Sequence, residues 1–231
     1  MPSLPDRIQL LRSQIRQAES AARRAPESVR LLAVSKTRSA AEIREAVAAG
    51  QTAFGESYVQ EALEKMQALA DVPIEWHFIG PIQSNKTAQI ATHFAWVHSL
   101  DRLKIAQRLN DQRGELPPLH VCIQVNTSGE ASKAGIPESE LLPLAEAIRQ
   151  LPRLRLRGLM TIPAPESDPI KQRLPFHQLK RCLEQLNGLG MELDTLSMGM
   201  SDDMQAAIAE GATIVRIGTA VFGPRLPKDK R

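Results

Sequence analysis

Aromatic side chains are scarce: two tryptophans, one tyrosine and five phenylalanines in 231 residues. Nucleic-acid surfaces interleave a basic stripe with stacking rings. Here 29 basic and 26 acidic residues leave a net charge of +3, with arginines scattered along the whole length, so nucleic acid is not an expected partner. Cysteine is nearly absent. Cys122 and Cys182 lie in different surroundings without metal-ligand spacing, which excludes a disulfide framework and a structural zinc site and points to the reducing cytoplasm. No apolar run approaches the roughly 20 residues of a membrane span. The opening MPSLPDRIQLLRSQIRQAE is charged throughout, unlike a secretory signal or cleavable leader. Linkers, low-complexity tracts and short repeats are missing too. Residues 1–231 are therefore expected to form a single domain, and 42% hydrophobic content suffices for a core without staples.

What is present is a rhythm of apolar, strand-like runs, each followed by an amphipathic helical pattern. An opening helix over 3–24 precedes the strand RLLAVS (30–35) and a helix over 39–49, stopped by Gly50. Ser39 with Glu42 three residues on is a capping box. TAFG (52–55), WHFIG (76–80) and WVHSL (96–100) precede helices at 59–70, 85–92 and 103–112. HVCIQV (120–125), RGLMTI (157–162) and LSMG (196–199) precede helices at 138–150, 172–188 and 202–210, and IVRIG (214–218) closes the series. Alternating strands and helices imply a parallel sheet with right-handed crossovers. Eight units in this length predict an α/β fold, the (β/α)8 or TIM barrel, with an open doubly wound sheet as the alternative.

In such a barrel, function gathers at the C-terminal ends of the strands. Lys36 follows LLAVS there. With Leu32 and Val34 lining the interior, period-two alternation points Lys36 into the mouth, where poor solvation frees an amine to attack a carbonyl. SMGMSDD (197–203) breaks at glycine and turns into a helix with Ser201 at the N-cap position. Its free N–H groups suit an oxyanion, although Asp202 and Asp203 oppose one unless they face away. VRIGTAVFG (215–223) offers Gly218 for close backbone approach and Thr219 for N–H and hydroxyl donors. Loops seven and eight are the usual phosphate site of this fold. Arg216 shares the parity of Gly218 and faces inward, where an arginine needs a partner. An amine, a phosphate cradle and a buried arginine at one mouth describe a pyridoxal phosphate (PLP) pocket. The arginine keeps its proton and donates to an unprotonated ring nitrogen, a weaker electron sink than a ring paired with a carboxylate.

At these residues the sequence resembles the PLP homeostasis protein family. The matching stretches are LLAVSKT, FGESYVQEALEK, WHFIGPIQSNK, VHSLD, VCIQVNTSGEASKAGI, GLMTI, LSMGMSDDM and VRIGTAVFG, in order from residue 31 to 223. The resemblance implies a barrel of the alanine racemase N-terminal-domain type, without that racemase's second domain. It implies Lys36 as the Schiff-base lysine, Ser201, Gly218 and Thr219 as phosphate ligands, and Arg216 at the ring nitrogen, with Met160 and His77 beside the ring. Asn85 and Lys86 lie in its QSNK motif, and Tyr58 is placed near the mouth. Lys133, beside Glu130 in a loop, and Lys228 and Lys230 in the tail read as solvated; the family motif makes Lys133, and the tail lysines with it, alternative secondary acceptors of PLP. Ser57 stands where the family usually has asparagine, so no role is carried to it. His93, His98, His120 and His177 have no ligand spacing and read as structural.

The expected function is PLP binding for intracellular PLP homeostasis, by buffering or delivery, rather than catalysis. The expected partners are PLP and, transiently, PLP-dependent enzymes awaiting their cofactor. No membrane association is expected, and the chain should be a monomer. The runner-up is a racemase-like PLP enzyme acting on small amino acids, which would need a second base from a further domain. A Schiff-base aldolase on sugar phosphates is the third reading.

Overall fold

The computed structural model describes residues 2–129 and 134–224. Its eight strands run β1 Arg30–Val34, β2 Ala53–Glu56, β3 Glu75–Phe78, β4 Trp96–Leu100, β5 Leu119–Gln124, β6 Leu154–Met160, β7 Thr195–Ser197 and β8 Ile214–Ile217. All neighbours are parallel, and β8 pairs with β1, so the sheet closes as β1-β2-β3-β4-β5-β6-β7-β8. This is the (β/α)8 barrel, and the open sheet is excluded. Around it lie α1 Leu4–Ala21, α2 Ala40–Ala48, α3 Val59–Ala68, α4 Thr87–His93, α5 Leu103–Gln112, α6 Leu141–Arg149, α7 Pro169–Gly188, α8 Met204–Ala209 and α9 Thr219–Phe222.

Local signals set most helix boundaries. In α1, Leu4, Ile8, Leu11 and Ile15 fall on one face and are buried, and Ser3 and Asp6 cap each other reciprocally. Ser39 and Glu42 make the expected capping box on α2. Among the starts that differ from expectation, those of α7 and α8 have a visible cause. Helix α7 begins at Pro169, three residues before the expected 172, because Asp168 accepts from the Ile170 and Lys171 N–H groups and proline suits the first helical position. Helix α8 begins at Met204 rather than Asp202. Asp203 turns its carboxylate back to the Met200 N–H at 2.5 Å, so residues 201–203 form a turn and Ser201 is not the N-cap.

Alternation along the strands separates two apolar regions. Leu31, Ala33, Phe54, Phe78, Val97 and Ile217 face outward into a large core shared with the helices. Leu32, Ala53 and Ile214 pack together inside the barrel, as do Trp96, Cys122 and Met160. Leu32 therefore has the inward parity expected of it. Where β6 meets β7, Gly158 has no room for a side chain: a Cβ there would lie 1.8 Å from the Thr195 carbonyl oxygen. Gly158→Ala must push two paired strands apart. It is expected to cost about 1–3 kcal/mol, the range for overpacking, read as a lower urea midpoint. An unchanged midpoint would contradict the close approach.

Candidate functional site at the barrel mouth

Lys36 sits in the turn after β1, half-buried, and the residues on either side of it are locked. Ser35 donates its N–H to the Gly55 carbonyl at 3.0 Å and its hydroxyl to Glu56 Oε1 at 2.6 Å. The Ser35 carbonyl accepts from Lys65 Nζ at 2.8 Å. Lys65, reaching over from α3, also pairs with Glu56 at 2.8 Å and with Glu61 at 2.6 Å. On the other side, the Thr37 N–H donates to Glu61. Thr37 takes φ = 67°, a left-handed conformation that a β-branched residue rarely adopts. Such backbone persists only when its surroundings over-determine it, and here Glu61 on α3 holds it.

Glu56 and Lys65 form a buried ion pair, Glu56 fully enclosed and Lys65 6% exposed. Burial pushes the Glu56 carboxyl above its ordinary range, against the pull of Lys65. Removing one partner of such a pair strands a charge and costs about 3–5 kcal/mol. Lys65→Met is thus expected to destabilise the protein by that amount in denaturant unfolding, and adding Glu56→Gln should recover part of it. Additive losses in the double variant would contradict the clamp.

On the neighbouring strand, Arg216 points inside the barrel with 4% exposure. Its Nη1 donates to Ser197 Oγ at 2.8 Å and its Nη2 to the Thr161 carbonyl at 2.9 Å. No carboxylate among the described residues lies within ion-pair distance of it. Burial lowers its pKa to about 10, with Asp203 acting in the opposite sense, so it remains a cation at neutral pH. Register places Leu32 opposite Arg216. Two residues further up, a Cβ on Gly218 would lie 3.4 Å from the Val34 carbonyl oxygen, so β1 and the start of the β8 loop nearly touch. β1, which leads into Lys36, and β8, which carries Arg216, are thus adjacent strands.

The other expected residues divide. Thr219 opens α9 with Gly218 before it, Ser201 lies in the β7–α8 turn, and both Ser201 and Thr219 are exposed. Met160 is the last residue of β6 and is fully buried against Trp96 and Cys122. His77 is deeper than expected. Its Nε2 bonds to Glu75 at the N-terminal end of β3, at 2.6 Å, and its Nδ1 to His98 at 2.9 Å. Both nitrogens are thus committed inside the barrel, and the ring is directed down it rather than toward the mouth. Asn85 and Lys86 lie in a short 3-10 turn after β3. Tyr58 is 57% exposed, and the Ser57 backbone packs on Gly80, where a Cβ would lie 2.3 Å from the Ser57 carbonyl oxygen. Glu130, Lys133, Lys228 and Lys230 lie outside the described residues.

Sequence reasoning missed the Lys65–Glu56 clamp and the buried pair His98–Ser197, joined at 2.7 Å. The signal for the second was available: His77, His98 and Ser197 all occupy inward positions, where uncharged apolar residues dominate such barrels.

Comparison with known proteins agrees with this fold. Residues 8–226 match the alanine racemase, N-terminal domain, family. A pyridoxal phosphate homeostasis protein of Pseudomonas aeruginosa is 60% identical over 226 residues, covering 97% of each chain. This chain belongs to the PLP homeostasis protein family. PipY of Synechococcus elongatus PCC7942, solved with PLP bound, is 38% identical with a TM-score of 0.85, covering 96% of this chain and 100% of that one. An alanine racemase from Corynebacterium glutamicum shares the fold, at 16% identity and a TM-score of 0.70 over 98% of this chain and 63% of its own. In this family member, no described helix is long and apolar enough to cross a membrane.

Acid stability reports on the lower half of the barrel. The hydrogen bond from His77, aided by Arg30, holds the Glu75 carboxyl at about 2 against an ordinary 4.5. A carboxylate with a depressed pKa stabilises the fold above its unfolded pKa and loses that contribution as the pH falls through its folded one. The stability difference between the protein and Glu75→Gln is therefore expected to shrink as pH drops from 4.5 toward 2. Urea unfolding at stepped pH measures it, and a constant difference would contradict the assignment.

Proposed function

We propose that this protein binds PLP at the mouth between β1 and β8 and serves intracellular PLP homeostasis, holding the cofactor for buffering or delivery without turning over a substrate. The observation that carries this reading is the pairing of β1, which leads into Lys36, with β8, which carries the buried Arg216. The residues fit the group. Arg216 is a buried cation with two neutral acceptors and N–H groups to spare, which suits a ring nitrogen lone pair. The near-contact of Gly218 with β1 leaves a backbone surface where a flat ligand can approach. The aldehyde of bound PLP supplies an electrophile to which an amine adds reversibly.

Lys36 supplies that amine, held in place by the locked residues on both sides of it. Ser201, Gly218 and Thr219 take the phosphate from the loops after β7 and β8. Asp203 engages its carboxylate with the Met200 N–H. Met160 forms the floor beneath the ring. The curated relatives' shared name supports the homeostasis role and a non-catalytic chain. The cytoplasm, a single domain and a monomer complete the proposal.

Lys36→Ala is expected to fold normally and to lose the borohydride-fixed label that peptide mass mapping finds at equimolar PLP. A label of equal stoichiometry in the variant would overturn Lys36. The unmodified protein should show no turnover of D- or L-amino acids approaching the usual enzymatic rate of roughly 1–1000 per second. Turnover in that range would replace the carrier by the racemase-like reading.

Ser201→Ala combined with Thr219→Ala separates phosphate from ring. Each lost hydrogen bond to a charged group costs up to about 1.5–3 kcal/mol, so PLP affinity is expected to fall while affinity for pyridoxal, which lacks the phosphate, stays the same. Equal losses for both ligands would remove these loops from the phosphate site.

A further inference from the structure

A continuous line of hydrogen bonds crosses the barrel interior from the mouth to the opposite end. Arg216 Nη1 meets Ser197 Oγ at 2.8 Å, and Ser197 Oγ meets His98 Nδ1 at 2.7 Å. His98 Nε2 meets His77 Nδ1 at 2.9 Å, and His77 Nε2 meets Glu75 Oε1 at 2.6 Å. Glu75 in turn accepts from Arg30 at 2.6 Å. Five consecutive groups come from strands β8, β7, β4 and β3. His77, His98 and Ser197 are fully buried, so each would incur a desolvation penalty if left unpaired.

The two ends fix the direction of every bond between them. A guanidinium only donates and a carboxylate only accepts. Ser197 accepts from Arg216, which leaves its hydroxyl proton for His98 Nδ1. His98 then carries its proton on Nε2 and donates to His77 Nδ1, and His77 carries its proton on Nε2 and donates to Glu75. The reverse order fails. It sets a bare nitrogen of His77 against the Glu75 carboxylate, or else requires a charged imidazole where burial holds both histidines below their ordinary range. The charged or titratable groups facing the two rings are Glu75 and Arg30 below, His120 beside them and Arg216 above.

We infer that Ser197, His98, His77 and Glu75 are positioning residues for Arg216, a one-directional hydrogen-bond relay that fixes its orientation and carries the influence of a carboxylate at the far end of the barrel to the mouth. Bonds in such a chain polarise one another, so Glu75 strengthens Ser197 as an acceptor and stabilises the guanidinium charge without touching it. The barrel thereby keeps a permanent cation in its interior with no carboxylate of the described residues within ion-pair distance. The relay is a property of the protein alone. Its bearing on PLP rests on the reading that Arg216 faces the ring nitrogen.

The test uses the full chain without PLP, labelled with nitrogen-15 in histidine and arginine. Expected are neutral Nε2–H tautomers for His77 and His98, and a shift of the Arg216 guanidinium resonances in Glu75→Gln, which retains an acceptor but not the charge. In a Ser197→Ala background the same Glu75 change should leave Arg216 unmoved, because the line is cut. An Nδ1–H tautomer or a charged ring at either histidine near neutral pH overturns the relay. So does a Glu75→Gln shift of equal size with and without Ser197. If Glu75→Gln fails to fold, the tautomers of the unmodified protein still decide. PLP affinity then separates the two readings. Coupling through side-chain networks amounts to roughly 2- to 30-fold, and a loss in that range for Glu75→Gln supports both. An intact relay with unchanged PLP affinity upholds the positioning role and overturns the placement of Arg216 at the ring nitrogen.

Discussion

The pairing of β8 with β1 is the contact on which the site depends. The two strands are separated by most of the chain, yet Arg30 through Ala33 lie opposite Ile214 through Ile217. That register sets Leu32 level with Arg216 and brings the turn holding Lys36 beside the loop that follows β8, which is the placement the proposed site rests on. Neither strand positions anything by itself. β1 needs the α3 clamp to hold the turn around Lys36, and β8 needs Ser197 and the Thr161 carbonyl to receive its arginine.

The second organising constraint is polarity inside the barrel. Such interiors are usually filled by branched aliphatic side chains in layers. Here Leu32, Ala53 and Ile214 fill one part, while His77, His98, Ser197 and Arg216 occupy another. A half-satisfied polar interior is worse than an apolar one, and this interior is satisfied by linking its members end to end. The arrangement confines choice. Replacing any inner member leaves its neighbours facing a hole or a mismatched partner, whereas the outer core tolerates exchanges that conserve volume.

Much of this was legible in the sequence, and the reasons are specific. Eight apolar runs with helical spacers gave the barrel, because strand and helix periods are written in consecutive residues. The inward direction of Arg216 followed from parity, since one inward residue fixes its alternates. The start of α8 was misjudged because the Asp203 carboxylate competes for the Met200 N–H, and three candidate caps in a row (Ser201, Asp202, Asp203) look alike in one dimension. The resemblance set His77 beside the ring, and local pattern gave no sign of its height: Glu75, two residues earlier, engages its Nε2. The Lys65–Glu56 clamp joins a helix to a strand end through a lysine that local pattern reads as an ordinary solvated side chain. Its burial follows from how α3 is laid on β1 and β2, which no local pattern states.

A crystal structure of the protein grown with PLP tests the central claim most directly. The account predicts the cofactor at the β1/β8 mouth, its phosphate between the loops after β7 and β8, its ring nitrogen within hydrogen-bond distance of Arg216, and its aldehyde carbon at Lys36. Cofactor density elsewhere, or a ring nitrogen turned away from Arg216, would contradict it.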